Sequence, residues 1–341
     1  MANRIQDEGL DVVFLGKDLS SSKFFKKKSF CFYDISSATF SIKKPLGILL
    51  SIVKIIKGTL VSIKLIIQHK PDYIIGFGSY YSLPTLIAGV LLRKSIIIHE
   101  QNVVPGKVNA LFSRFAKAVG LTFPDIYNVL RCKQKSVVTL NRSKVFLKHN
   151  SKISKDFYEG RNVLLIFGGS LGSITINKIF LTSLPLIIQK ISNLSVIHII
   201  GGNENADDVR EIYSKLKVPA IVKAFEEDMS FYFRIANLAI CRAGAGTVEE
   251  LIYYELPAVM IPYPHAYNHQ EKNALFFQEN VGGGFFIKEK DVDYLKLTNI
   301  VVDLLSTSKL FVYKEKISSY KNNYEKKDFL HFIDMSLAKF C

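Results

Sequence analysis

VLLIFGGSLGSITINKIF, the stretch from Val163 to Phe180, decides the fold of this chain. Its first five residues are a continuous apolar run, which predicts a strand buried on both faces. A glycine-rich turn follows, from Gly168 to Ser173, and helical periodicity begins after it. A strand, a turn and a helix in this order form the repeating unit of a parallel α/β sheet. The turn either binds a phosphate at the helix start or only packs the helix against the strand.

Short apolar runs alternate with helical stretches over most of the chain. The predicted strands are Asp11–Leu15, Tyr73–Gly76, Ser95–His99, Val119–Thr122, Val163–Phe167, Val196–Ile200, Ala220–Val222, Leu238–Cys241 and Ala258–Ile261. This alternation predicts an α/β fold with parallel, doubly wound sheets. Ligands of such sheets bind beyond the carboxyl ends of the strands.

The length of 341 residues favours two domains. The best boundary is NRSKVFLKHNSKISKDFYEGR, a polar and basic stretch from Asn141 to Arg161. We therefore expect two Rossmann-like halves with a cleft between them. The first covers residues 1–142, with residues 318–341 packing back on it, and the second covers residues 143–317.

The formal net charge of +15 predicts a surface that attracts anions. Three partner classes fit this charge: nucleic acid, an anionic membrane face and phosphorylated small molecules. Nucleic acid is the weakest of the three, because the basic residues are not interleaved with aromatic residues on strands. The four cysteines form neither a C-x-x-C pair nor a zinc pattern with histidine, so reduced thiols are expected.

LGILLSIVKIIKGTLVSIKLII, from Leu46 to Ile67, is apolar but contains three lysines. Each lysine near a bilayer centre would cost roughly 2.5–3.5 kcal/mol, so a spanning helix is not expected. The pattern predicts an amphipathic helix whose basic side carries Lys54, Lys57 and Lys64. This helix either only covers a sheet or also touches an anionic membrane.

A second strand and glycine loop lie in LAICRAGAGTVEELIYYELPAVMIPYP, from Leu238 to Pro264. Here the helix is predicted to begin near Thr247, which would cap it or bind a phosphate. Glu250 is then expected in the first turn of that helix. Its carboxylate either accepts hydrogen bonds from a ribose or is a simple capping group.

Polar residues also follow the strand in IIIHEQNVVPGKVNALFSRFAKAVG, where His99 and Glu100 are candidates for a general base. The alternative is that these polar groups only satisfy the backbone of the loop. Three cations further along, Lys107, Arg114 and Lys117, are expected to meet a diphosphate.

A cluster of polar residues in PHAYNHQEKNA suits the recognition of sugar hydroxyls. Its members are His265, Asn268, His269 and Gln270. A metal site built on the two histidines lacks an evident third ligand, so neither a metal nor a cofactor is expected.

Together, these motifs resemble the MurG family. The match is carried by GFGSYYSLP, IHEQNVVPGKVNALFSRFAKAVGLTF, FGGSLGSITIN, FEEDM, ICRAGAGTVEEL and LPAVMIPYPHAYNHQEKNA, between Gly76 and Ala274. The resemblance implies a GT-B fold and an inverting transfer of N-acetylglucosamine from UDP-N-acetylglucosamine to an undecaprenyl-diphosphate-linked muramyl-pentapeptide. It also implies a peripheral enzyme at the cytoplasmic face of the bacterial inner membrane.

The resemblance carries substrate-binding roles onto individual positions. These are Asn102 in the cleft, Ser170 at the phosphate, Glu226 at the uracil, Ala245, Gly246, Thr247 and Glu250 in the second glycine loop and at the ribose, and Gln270 at the sugar. Lys144 stands where the family commonly has a diphosphate-contacting arginine, and lysine lacks the bidentate fork of arginine.

A further departure lies at the start of the chain, because the sequence lacks the family's GGTGGH loop and its histidine. That histidine is a leading candidate for the base, so His99 and Glu100 are the substitutes that this chain offers. We expect the chain as written to bind donor but to transfer sugar poorly. The alternatives are another GT-B glycosyltransferase, or a catalytically impaired protein that binds nucleotide sugars.

Overall fold

The computed structural model describes residues 2–21, 25, 30–38, 45–140, 153–169, 172–264, 268–324 and 326–338. The chain divides into two compact units. The first unit contains residues 1–141 and 326–341, and the second contains residues 142–325. The chain thus re-enters the first unit at Lys326, later than the expected position 318. Most of the predicted boundary stretch, residues 141–152, lies outside the described residues.

The first unit contains a five-stranded parallel sheet and a separate parallel pair of strands. Its strands are β1 (Val13–Gly16), β2 (Cys31–Asp34), β3 (Tyr73–Gly76), β4 (Ser95–Glu100), β5 (Ala118–Leu121), β6 (Lys135–Thr139) and β13 (Lys327–Asp328). Its helices are α1 (Ala2–Asp7), α2 (Pro45–His69), α3 (Leu83–Leu91), α4 (Lys107–Phe112) and α12 (Phe329–Ala338). The order of the larger sheet is β13-β6-β5-β4-β3, and β1 pairs with β2.

Both faces of the larger sheet are covered by apolar side chains. On one face, Ile55 and Ile66 of α2 join a buried cluster with Leu86 of α3. On the other face, Phe329 and Phe332 of α12 pack on the strands in a second cluster. Buried residues on both sides explain why these strands are continuously apolar.

The second unit contains a six-stranded parallel sheet of order β12-β11-β10-β7-β8-β9. Its strands are β7 (Asn162–Phe167), β8 (Leu194–Ile199), β9 (Ala220–Lys223), β10 (Leu238–Cys241), β11 (Ala258–Met260) and β12 (Gly284–Phe286). Its α-helices are α5 (Ile174–Lys190), α6 (Ala206–Lys215), α7 (Ser230–Ile235), α8 (Ala245–Tyr253), α9 (His269–Phe276), α10 (Tyr294–Ser306) and α11 (Lys309–Asn323). Parallel strands alternate with helices in each unit, which confirms the predicted α/β fold.

The predicted amphipathic helix is α2, and it does cover the sheet of the first unit. Its outer face is more apolar than the three lysines suggest. The exposed apolar side chains of this face are Leu49, Leu50, Ile52, Val53, Ile56, Leu60, Val61 and Ile67. Lys54, Lys57 and Lys64 are exposed among them. Within the described residues, no helix is both long and apolar enough to cross a bilayer.

Candidate functional site

The carboxyl edge of the second sheet gathers most of the predicted site residues. The last residues of all six strands lie in one row, because Phe167 pairs with Cys241 on one side and with Ile199 on the other. Loops from five neighbouring strands, β11, β10, β7, β8 and β9, therefore leave the sheet side by side. Four strand spacings of ~4.8 Å make this row about 19 Å long. An extended ligand could thus contact several of these loops at once.

The first glycine loop follows β7 and must pass very close to other backbone atoms. A Cβ on Gly168 would lie 2.2 Å from the amide nitrogen of Ser173, and one on Gly172 would lie 2.4 Å from the carbonyl oxygen of Ile200. Only glycine fits at both positions. Ser173 then caps α5, because its hydroxyl accepts a hydrogen bond from the Ile176 amide. Ser170 lies outside the described residues.

The second glycine loop follows β10, and its helix begins earlier than predicted. Helix α8 begins at Ala245. Its N-cap residue is Gly244, which has an extended backbone conformation. The prediction that the helix starts near Thr247 is therefore wrong, since the Val248 amide already donates to the Gly244 carbonyl at 3.0 Å. Glu250 consequently lies in the second turn, half-buried, rather than in the first.

Arg242 joins the two glycine loops, a role that sequence reasoning missed. It follows β10 and is only 7% exposed. Its guanidinium donates to the Ser173 hydroxyl at 2.7 Å and to the Ile261 carbonyl at 2.9 Å, and it pairs with Glu289 at 2.5 Å. The available signal was a single cation directly after a buried four-residue strand. Arg242 thus fixes the loops after β7, β10 and β11 relative to one another.

The polar cluster after β11 is only partly described, because His265 lies outside the described residues. Gln270 is held by its side-chain oxygen, which accepts a hydrogen bond from the Tyr263 amide at 2.9 Å. Asn268 adopts a left-handed conformation with φ 58° and serves as the N-cap residue of α9. Within the described residues, no group of three or more His, Cys, Asp or Glu could hold a metal ion.

The other end of the row is marked by Glu226, after β9. Its carboxylate binds Lys223 and accepts a bond from the Tyr232 hydroxyl at 3.3 Å. Burial alone would raise the pKa of Glu226, but its bonds with Lys223 and with the Asp228 amide hold the pKa below the usual value. Glu226 is therefore an anion that is already paired. A ligand here would meet the backbone of this turn more readily than the carboxylate.

A buried polar chain supports the middle of the row. Both nitrogens of His198 on β8 are engaged, with the Tyr213 hydroxyl at 2.9 Å and the Asn177 side chain at 3.1 Å. Asn177 on α5 also donates to Glu204, in the loop after β8. Burial lowers the pKa of His198 to about 3. The histidine is therefore neutral, and it ties the glycine loop's helix to the next loop.

The first unit presents a different carboxyl edge. Glu100 ends β4 and is only 1% exposed. Its carboxylate accepts bonds from the backbone amides of Asn102 and Gly106, both at 2.9 Å, and from the Asn109 side chain at 2.8 Å. It also accepts a longer bond from the Asn102 side chain, at 3.4 Å. These bonds fold the loop of residues 101–106 around the carboxylate.

His99 is also at this edge and is 1% exposed. Its ring lies between the aromatic rings of Phe77 and Phe329, with centroids 5.7 and 5.2 Å away. Burial, and next the charge of Lys326, lowers the pKa of His99 to about 4. Its Nδ1 is buried and has no hydrogen-bond partner among the described residues. His99 is thus a neutral ring in an aromatic environment.

The expected diphosphate cluster does not assemble. Lys107 begins α4 near Glu100, but Lys117 precedes β5, and its amide donates to the Ile96 carbonyl at the start of β4. A four-residue strand is about 13 Å long, so Arg114 and Lys117 lie at the opposite edge from Glu100. The prediction failed because loops before and after a strand are close in sequence but lie at opposite ends of it. Lys144 lies outside the described residues.

Comparison with known proteins places this arrangement in a family. Residues 1–121 match the glycosyltransferase family 28 N-terminal domain, and residues 163–331 match the family 28 C-terminal domain. The UDP-N-acetylglucosamine--N-acetylmuramyl-(pentapeptide) pyrophosphoryl-undecaprenol N-acetylglucosamine transferase of Chlamydia felis (strain Fe/C-56) is 34% identical, over 96% of this chain and 90% of the relative. The chain belongs to the MurG family of glycosyltransferases. The protein of the same name from Protochlamydia amoebophila (strain UWE25) is 36% identical, over 91% of this chain and 83% of the relative.

Solved structures agree with this family membership. The crystal structure of Acinetobacter baumannii MurG superimposes with a TM-score of 0.77 and 26% identity, covering 99% of this chain and 93% of that one. The UDP complex of UDP-glucose: anthocyanidin 3-O-glucosyltransferase gives a TM-score of 0.68 at 12% identity, over 94% and 88% of the two chains. The fold is therefore of the GT-B class, as the sequence resemblance implied.

Proposed function

We propose that this MurG-family chain transfers N-acetylglucosamine from UDP-N-acetylglucosamine to a muramyl-pentapeptide linked to undecaprenyl diphosphate. The names of the relatives state this acceptor and this sugar. The observation that carries the proposal is the row of loops along the carboxyl edge of the second sheet. Its length of about 19 Å suits a ligand with a base, a ribose, a diphosphate and a sugar in line.

The two ends of the row suit the two ends of such a donor. The turn at Glu226 would meet the uracil, Glu250 the ribose and Gln270 the sugar. Between them lie the N-terminal ends of α5 and α8, where helices carry partial positive charge, and Ala245, Gly246 and Thr247 form the first turn of α8. Ser170 stays a prediction for the phosphate. Helix starts of this kind stabilise a phosphate, and they would stabilise the diphosphate that leaves as UDP.

The chemistry requires an acceptor hydroxyl to attack the anomeric carbon while UDP departs, with inversion at that carbon. A base must accept the hydroxyl proton. His99 and Glu100 stay predictions for this role, and their burial favours indirect action. Glu100 in particular organises the loop that carries Asn102, whose side chain would then face the acceptor.

The donor assignment is tested with the full chain and a panel of nucleotide sugars. UDP-N-acetylglucosamine should be consumed in the presence of lipid acceptor, and UDP-glucose should be a poor substitute. Glu250→Ala should weaken UDP binding by roughly 1–3 kcal/mol in calorimetry, the loss of a charge-assisted hydrogen bond. Glu249→Ala, on the same helix, is the matched control. Unchanged UDP affinity in Glu250→Ala would contradict the ribose assignment.

A peripheral position on the cytoplasmic face of the inner membrane is the second part of the proposal. The outer face of α2 exposes eight large apolar side chains and three lysines. Apolar groups surrounded by cations suit insertion at the boundary of an anionic bilayer. Each lysine near such a surface contributes about 1 kcal/mol.

Vesicle flotation tests this attachment with bilayers that contain phosphatidylglycerol. Replacing Lys54, Lys57 and Lys64 with glutamine should reduce bound protein, and added salt should reduce wild-type binding. The control removes three exposed lysines of the second unit: Lys178, Lys190 and Lys314. Equal loss of binding in both triple variants would show that net charge, rather than α2, drives attachment.

A further inference from the structure

Arg114 and Lys117 line a cavity that the proposed donor site does not include. It lies in the first unit, where β5, β6 and β13 begin, and its volume is about 750 Å³. We call it the amino-edge pocket. Six of its lining residues are cationic: Arg114, Lys117, Arg131, Lys133, Lys135 and Lys327. None of the described residues that line it is acidic.

The pocket is held in shape by bonds that do not involve the charged tips of its arginines. The Arg131 amide donates to the Ser113 hydroxyl at 2.9 Å. The thiol of Cys132 bonds to the carbonyls of Ala116 and Gln134, at 3.3 and 3.4 Å. These bonds fix the segment before β5 against the segment before β6, so both cationic segments face one cavity.

The pocket lining is also bonded to α12, the last helix. Gln134 donates from its side chain to the Ser336 hydroxyl of α12 at 3.0 Å. Phe332 and Met335 of the same helix complete the lining. The cavity is therefore lined by apolar side chains of α12 as well as by cations.

The charge of the rim is mostly uncompensated by the lining itself. Lys135 is paired with Asp125 at 2.9 Å, outside the lining. The described lining residues thus bring six cations and no carboxylate into a small concave space. Like charges repel when they are clustered, and a concave surface concentrates their field, so the pocket attracts multivalent anions.

The residue types favour phosphate over other anions. Two arginines present planar forks that match phosphate oxygens in bidentate fashion, and the lysines add point charges. The volume lies within the range of small-molecule sites, about 300–1,000 Å³. A groove for a nucleic-acid duplex would be open and longer.

We infer that the amino-edge pocket binds an anion that carries two or more phosphate groups. The ligand is either a free polyphosphate compound or the headgroup of a lipid that bears two or more phosphates, since both present the same oxygens. The site is separate from the donor site, which lies in the other unit. This inference stands whether or not the chain is an N-acetylglucosamine transferase.

Calorimetry with inorganic tripolyphosphate tests the pocket on the full chain at low salt, with saturating UDP present to occupy the donor site. Arg114→Gln with Arg131→Gln should weaken tripolyphosphate binding at least tenfold. Lys190→Gln with Lys314→Gln removes the same charge from the second unit and should change binding less than twofold. Arg114→Lys with Arg131→Lys keeps the charge and should give an intermediate loss.

The lipid source is tested by flotation with phosphatidylcholine vesicles that contain phosphatidylglycerol or a diphosphate-bearing lipid. If the arginine-to-glutamine pair loses vesicle binding and tripolyphosphate competes, the headgroup is the ligand. If only tripolyphosphate binding is lost, the ligand is a free compound. If neither ligand distinguishes the pocket variant from its control, the inference is wrong, and circular dichroism establishes that each variant is folded.

Discussion

Glu100 and Glu250 both follow buried parallel strands, yet they occupy opposite kinds of environment. Glu100 is 1% exposed and accepts four N–H bonds, three from the loop that follows it and one from Asn109 of α4. Glu250 is half-buried on α8, beyond a loop of alanine and glycine. In the first unit the loop wraps around the carboxylate. In the second unit the loop after β10 is short and consists of small residues.

The difference shows that a carboxylate after a strand is an ambiguous signal. The two carboxylates differ in burial, since Glu100 is enclosed by donors that follow it in the chain and Glu250 is half-buried on a helix. The residues after Glu100 return donors from Asn102, Gly106 and Asn109. The amides of the residues before Glu250 instead belong to the first turn of α8.

Acid should produce the largest total effect, because it should destabilise both units. His99 and His198 have pKa values of about 4 and about 3, below the ordinary 6.5, because both are buried. The unfolded chain binds protons at these histidines below pH 6.5, so stability is present above that pH and is lost as pH falls. Between pH 7 and pH 4 each unit should lose about 3 kcal/mol. Hydrogen exchange of strand amides reports each unit separately.

Replacing each histidine with phenylalanine sharpens this comparison. His99→Phe should flatten the pH dependence of the first unit at a smaller cost near pH 7, because its ring already packs against Phe77 and Phe329 and the bond that it loses, with the Thr122 hydroxyl, is long at 3.4 Å. His198→Phe should destabilise the second unit even near pH 7, since Tyr213 and Asn177 lose their partner. Equal losses in the two variants would contradict the distinction.

Arg242→Ala should have the next largest effect, confined to the second unit. It removes a buried cation that joins Ser173, Ile261 and Glu289, and breaking such a pair costs about 3–5 kcal/mol. Urea unfolding measures the loss in the free energy of unfolding. Hydrogen exchange of the β7 and β10 amides shows whether the loss is confined to the second unit. Arg234→Ala removes an exposed arginine over Tyr254 and should cost less than about 1 kcal/mol.

Glu100→Gln and Glu250→Gln test the contrast between the two carboxylates directly. Glutamine at position 100 would turn N–H donors toward the donors of the loop, so the first unit should lose about 2–3 kcal/mol while UDP affinity stays unchanged. Glutamine at position 250 should do the reverse, with weaker UDP binding and a stability change below about 1 kcal/mol. Calorimetry and urea unfolding on both variants are needed. A loss of UDP affinity in Glu100→Gln would overturn the assignment.

The smallest expected effect is that of Ser173→Ala, which removes the cap of α5. The loss of a capping hydroxyl costs about 1 kcal/mol. UDP affinity should also fall, because Arg242 loses the anchor beside the glycine loop. Asp293→Ala removes the cap of α10 and is the control, with a similar stability loss and normal UDP affinity. Equal UDP affinity in both variants would count against the linkage.

The sequence predicted the strongly apolar strands well, because burial on both faces leaves an unbroken signal. Each of the nine predicted strands overlaps an observed one. Four strands were missed, and each is short or half-buried: β2 and β6 have mixed exposure, β12 has three residues and β13 has two. Lys327 and Asp328 of β13 carry no apolar pattern, and pairing with β6 alone makes them a strand.

The candidate site was predictable where backbone chemistry decides it. Glycine after a buried strand indicated both loops. The role of Arg242 was hidden because its partners, Ser173 and Glu289, are 69 and 47 positions away in the chain. The burial of His99 was equally hidden, since Phe329 reaches it from the far end of the sequence.

The return of α12 to the first unit has a consequence for biosynthesis. Arg4 bonds to Asp328 across 324 positions, and Phe329 closes the core beneath β4 and β5. The second unit is one continuous segment, so it can fold as soon as it leaves the ribosome. The first unit cannot complete its sheet until the last few dozen residues are released. At about 5–20 residues per second, synthesis of the second unit takes on the order of ten seconds or more. During this time the exposed strands of the incomplete first sheet could bind chaperones.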